Sequence, residues 1–142
     1  MSTINTPTRP AGETTGTARR PKQHLAEDAM RYDLEEESTA LLVEARTVSD
    51  GRAAKTLAKH TGLNTAMTAL RRGTVIRQHQ TPAPVIVQVI SGTVRVTLPS
   101  GPVEMHSGEM LALDENVTHE VEALSDASIL LAVAAHPPVA QD

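Results

Sequence analysis

The chain has 142 residues, with 13 Lys and Arg against 17 Asp and Glu, a formal net charge of −4 and no cysteine. That balance lacks the concentrated positive field needed for non-specific binding to nucleic acid or an anionic membrane, so neither partner is expected. Without thiols there are no disulfides and no thiolate metal sites, and the length allows one domain of ordinary size with chain to spare. The apolar fraction of 39% contains no Phe and no Trp, and Tyr32 is the only aromatic residue. Any core must therefore be built from Val, Leu, Ile, Met and Ala.

Residues 1–21 are mostly Thr, Pro, Gly, Ala and Arg, a composition that cannot offset the entropy of ordering it, so a disordered tail is expected. They carry no apolar core of a secretory signal. No apolar run in the chain approaches the ~20 residues needed to span a bilayer. The expectation is a soluble, cytoplasmic protein. Residues 22–50 form an arm, within which 33–46 (DLEEESTALLVEAR) read as a helix. Asp33 is positioned as N-cap with Glu36 three residues on, and Arg46 closes the last turn. Leu34, Leu41, Leu42 and Ala45 recur at helical spacing, giving a stripe that must dock on its own domain or a sister subunit. Glu35, Glu36 and Glu37 read as a solvated face.

From residue 50 the pattern changes to short strands. Ser49-Asp50-Gly51 is a turn, followed by Ala53–Lys59, Thr65–Arg71 and Thr74–His79, with Gly62 and Gly73 as punctuation. Val85–Ile90 and Thr93–Leu98 flank Ser91-Gly92, a strong hairpin signal. Pro99-Ser100-Gly101-Pro102 turns into a short Val103–Met105, and His106 is placed in the next turn. Met110–Leu113, His119–Leu124 and Ala127–Ala135 complete nine strands without helical period. An all-β sandwich or barrel is predicted.

Two stretches carry a resemblance. Gly73, five residues, His79, Gln80, Thr81, then Val85, six residues and Gly92 match the spacing of the first cupin motif. Gly108, five residues, Asp114, Glu115, Asn116, two residues, His119, three residues and Ala123 match the second. The chain resembles the small single-domain, conserved-barrel (type-2) bacterial cupins. The resemblance implies a single cupin-type β-barrel, a jelly-roll-like double-stranded β-helix, over residues 52–136. It covers nothing before residue 46.

In that family two His and a Glu of the first motif and the His of the second bind a divalent metal. Carried across, only His79 and His119 stand at ligand positions; Thr81 replaces the second His and Val85 the Glu. Asp114, Asn116 and Ala123 replace the second motif's Pro, Gly and Asn. Strand alternation then points His79, Thr81, Val85, Val87 and Val89 inward with His119, Val121 and Ala123, and leaves Ile86, Gln88, Ile90, Glu120 and Glu122 outside. Two functions follow from the resemblance. The first is a small-molecule-binding cupin with a degenerate metal site, His79, Thr81 and His119 meeting a small apolar or weakly polar molecule in the barrel. The second is a small enzyme of dioxygenase or isomerase type, or a metal-free acid–base catalyst, using His79 and His119. Nickel, copper or zinc at the two imidazoles, completed by water or substrate, belongs to the second. The outward Ile86 and Ile90 point to a homodimer. His24, His60, His106 and His136 are expected at the surface.

Overall fold

The computed structural model describes residues 28–134. The tail at 1–21, the start of the arm, residues 135–136 of the predicted barrel, His24 and His136 lie outside the described residues.

Among the described residues one helix, α1 (Leu34–Thr47), precedes nine strands: β1 (Arg52–Lys59), β2 (Leu63–Leu70), β3 (Val75–His79), β4 (Val85–Ser91), β5 (Thr93–Leu98), β6 (Gly101–His106), β7 (Met110–Leu113), β8 (His119–Ala123) and β9 (Ala127–Ala134). The helix starts where its cap dictates. Asp33 is extended, and its carboxylate accepts from the Glu36 amide at 3.1 Å. Strand β6 is longer than the sequence pattern indicated, taking in Gly101, Pro102 and His106. Pro102 is tolerated there because β6 is the edge of its sheet, where a missing N–H breaks no ladder. His106 is therefore a strand residue, exposed as expected, with Nε2 3.3 Å from Glu104.

The strands form two antiparallel sheets, ordered β1-β2-β9-β4-β7 and β3-β8-β5-β6. Their facing sides enclose a core of Leu70, Val85, Val87, Val89, Val94, Val96, Met105, Leu113, Val121, Ala123, Ala127 and Ile129. Val85, Val87 and Val89 point inward along β4, as alternation requires. The opposite side of the five-stranded sheet carries α1, which buries Leu41 and Ala45 against Ala53, Met67 and Ala69, with Ile90 and Leu130 packed alongside. Ser38 also lies in this layer, its hydroxyl bonded to that of Ser128 at 2.6 Å, so each of the two buried hydroxyls has a partner. The helix covers Ile90, which was expected to lie open to a sister subunit, and leaves another part of that outer face bare: Ile86 is 38% exposed and Met110 57%.

Polar contacts also tie α1 to the barrel, among them the Glu37–Lys55 ion pair at 2.8 Å. The Arg71 guanidinium donates to the carbonyls of Arg46, Val48 and Ser49, at the negative end of the helix. Asp126 accepts from the Arg72 amide and from Arg46 Nε, each at 2.9 Å. No described helix is long and apolar enough to cross a membrane.

Two tests follow from this packing. Gly92 has φ +83°, and a Cβ there would lie 2.2 Å from the Asp126 carbonyl oxygen. Gly92→Ala is therefore expected to lose about 1–3 kcal/mol or more in urea unfolding; an unchanged midpoint contradicts that geometry. The Asp126 carboxyl is held below its ordinary pKa, first by the Arg72 amide and then by Arg46. A carboxylate depressed in the folded state stabilises fully above about pH 4 and loses that contribution as acid protonates it. Asp126→Asn is expected to be less stable than wild type at pH 7, with the gap narrowing on acidification. A gap independent of pH contradicts this account.

Candidate functional site

The site is built from β8 and the end of β3. Along β8, His119, Val121 and Ala123 alternate inward at 5%, 3% and 1% exposure. Glu120 and Glu122 face outward, and Glu122 meets Arg95 at 2.8 Å. Strand β3 is less regular. Val75 pairs with Glu122 and Ile76 with Val121, but the register then slips, so that His79 pairs with His119. Undisturbed pairing would have set residue 78 opposite His119 and turned His79 outward. The bulge places His79 on the same side of the sheet as Ile76.

The two imidazoles lie side by side, centroids 4.2 Å apart and planes at 60°. His79 is exposed, at the mouth, while His119 is buried. Each ring is fixed in the same way. His79 Nδ1 lies 3.0 Å from the Arg77 carbonyl oxygen, and His119 Nδ1 lies 3.0 Å from the Val117 carbonyl oxygen. A carbonyl only accepts, so Nδ1 donates in both, and in the neutral ring Nε2 keeps the lone pair. Two further bonds hold the flanking loops together: Asn116 N–H donates to the Thr81 carbonyl at 2.7 Å, and the Thr118 hydroxyl to Gln80 Oε1 at 3.3 Å.

Beside this pair a groove of about 560 Å³ opens between the edges of the two sheets. It is lined by Asp50 and Arg52 from one side and by Thr74, Val75, Ile76, Arg77 and His79 from the other.

No protein-family model and no curated protein matches the sequence. Solved structures do match. A conserved protein of unknown function from Streptococcus pyogenes is similar at 20% identity over 83% of this chain and 99% of its own, with TM-score 0.64. An RmlC-like cupin from Shewanella frigidimarina is similar at 12% identity over 64% of this chain and 82% of its own, with TM-score 0.59. The chain has the cupin fold. A mutant salicylate 1,2-dioxygenase from Pseudoaminobacter salicylatoxidans is also similar, at 20% identity, TM-score 0.62, over 72% of this chain but 34% of the dioxygenase.

Within the cupin barrel the sequence-predicted residues are distributed unevenly. His79 and His119 are brought together. Thr81 is half-buried in the loop after β3, and the described hydrogen bonds engage its carbonyl, not its hydroxyl, so it does not join the two rings by any described contact. Val85 lies in the apolar core at 5% exposure, where the resemblance would set a carboxylate. Among the described residues no three His, Cys, Asp or Glu side chains are grouped as a metal would require. Two imidazoles fall short of the roughly three protein ligands of a catalytic divalent site, and an alkyl group at residue 85 supplies no neutralising charge. The residues present do not make a full metal set.

Sequence reasoning missed Asp50, Arg52 and Arg77, because a groove between sheet edges depends on which strands are edges. The tautomers offer a direct check. Long-range ¹H–¹⁵N spectra of the imidazoles are expected to show Nδ1 protonated in the neutral forms of both His79 and His119. Protonation at Nε2 in either ring would contradict the hydrogen bonds described.

Proposed function

We propose that the protein is a small-molecule-binding cupin whose polar pole is the His79–His119 pair, with Thr81 on the adjoining loop and a ligand that is largely apolar. One observation carries this reading: both Nδ1 atoms are committed to carbonyls, so each of two adjacent rings, centroids 4.2 Å apart, keeps its Nε2 free of those bonds, beside an otherwise apolar core. Such a pair recognises a ligand by hydrogen bonding, with fixed rings that lose little freedom on binding. The departures at Thr81 and Val85 are what a binding cupin with a degenerate metal site would carry. The lack of cysteine suits a reducing, cytoplasmic setting.

The same geometry favours a second reading. Donation from Nδ1 to a backbone carbonyl is how metal-binding imidazoles are oriented, and it leaves the ligating nitrogen forward. In that case His79 and His119 serve a small enzyme, exchanging a proton with substrate or holding nickel, copper or zinc that water and substrate complete.

The protein is further proposed to be a homodimer joined through the uncovered outer sheet face around Ile86 and Met110, with α1 at its border. Light scattering at micromolar concentration is expected to give twice the chain mass, and a monomer mass would refute the dimer.

Ligand-observed NMR with a library of small organic fragments tests the site itself. Fragments that bind wild type are expected to bind His79→Ala and His119→Ala more weakly by about 1–3 kcal/mol, the loss associated with one buried polar partner. The melting transition of both variants should remain cooperative. Fragment affinities unchanged in both would remove the imidazoles from the site.

A further inference from the structure

The groove beside the imidazoles has a charge pattern that the apolar core does not explain. In the β1–β2 ladder Arg52 pairs with Leu70, whose side chain belongs to the barrel core, while Ala53 pairs with Ala69, which packs under α1. Directly paired residues share a face, so Arg52 lies on the inner side of its sheet, at an edge where no further strand covers it. It faces β3, the corresponding edge of the other sheet, from which Arg77 and His79 line the same groove. Among the described residues neither the Arg52 nor the Arg77 guanidinium has an ion-pair partner, whereas Arg46, Lys55 and Arg95 each have one. Asp50 also lines the groove, and its carboxylate is directed to the Arg52 backbone amide at 3.4 Å.

We propose that this groove binds the carboxylate of the ligand, held by Arg52 and Arg77, while the ligand's largely apolar body extends from it and its far end meets the His79–His119 pair. The inference rests on the binding role proposed for that pair and narrows the ligand to an organic monoanion. Guanidinium groups present a planar fork that matches a carboxylate's two oxygens. Two guanidinium charges against the one carboxylate of Asp50 leave a net single positive charge, which suits a monoanion better than a dianionic phosphate. His79 joins the two subsites, since it lines the groove and its ring packs, tilted, beside that of His119. The bulge that turns His79 inward also holds Arg77, whose carbonyl accepts from the His79 ring, so the charged and imidazole subsites are set by one local distortion.

The test is an NMR titration of the full chain with sodium hexanoate, with hexanamide and inorganic phosphate as matched probes, in wild type, Arg52→Gln/Arg77→Gln and His119→Ala. Hexanoate is expected to shift the amides of Arg52, Arg77 and His79, and to bind the double variant about tenfold or more weakly. Hexanamide and phosphate should bind wild type more weakly than hexanoate. Dispersed spectra and an unchanged melting temperature would show that the double variant is folded; Arg52→Lys, which keeps charge without the fork, provides a second comparison and should bind at intermediate strength. Hexanoate affinity that falls in His119→Ala but not in the double variant would overturn the groove while leaving the imidazole site standing. Affinity that falls in the double variant alone would support the groove and separate it from the imidazoles. Equal binding of hexanoate and hexanamide, or tighter binding of phosphate, would overturn the carboxylate assignment.

Discussion

Side chains along a strand alternate between two faces, so the register of β3 against β8 determines what His79 can meet. Between Ile76 and His79 the pairing slips by one residue, and that slip sets the two imidazoles opposite one another. The meeting of the two rings depends on it. The pairing of His79 with His119 and the ring contact that follows from it depend on this one irregularity, and Arg77, which lines the groove, lies within it. Bulges of this kind commonly re-aim a side chain beside a functional site, because the backbone distortion is local and the rest of the sheet keeps its register.

The scaffold that fixes this register is built without large rings. Val87, Val89, Val94 and Val96 are fully buried, and β-branched residues of this kind suit a pleated surface packed on one face. A second apolar layer under α1 enlarges the core that so few large residues provide. Polar ties then anchor the helix: Arg71 satisfies carbonyls at its end, and Asp126 joins Arg46 to the turn before β9. The consequence for function is a stiff frame on one side of the barrel, with the chemistry gathered at the opposing edge of the smaller sheet.

Most of this frame was legible in the sequence. Period-two alternation, Gly and Pro punctuation and the hairpin at Ser91-Gly92 located all nine strands, and the Asp33 cap with its apolar stripe located the helix to within a residue at each end. The errors have identifiable causes. Pro102 reads as a turn residue unless one knows that its strand is an edge. The burial of Ser38 had no sequence signal, because its hydroxyl partner, Ser128, lies 90 positions away. His79 was expected to face inward by simple alternation from Val85; it does face inward, but by way of a bulge that no periodicity announces. The same limit hid the groove, since Arg52 and Arg77 come to line it together only through sheet order.

The account's central claim is that the two imidazoles act as a ligand-recognising pair without a resident metal. Val85 in the apolar core, in place of a carboxylate, and the grouping of only two imidazoles are its physical basis. Elemental analysis of untagged protein tests it most directly. The account predicts nickel, copper and zinc well below one equivalent per chain. One tightly held equivalent, lost in both His79→Ala and His119→Ala, would contradict the claim and put the enzyme reading first.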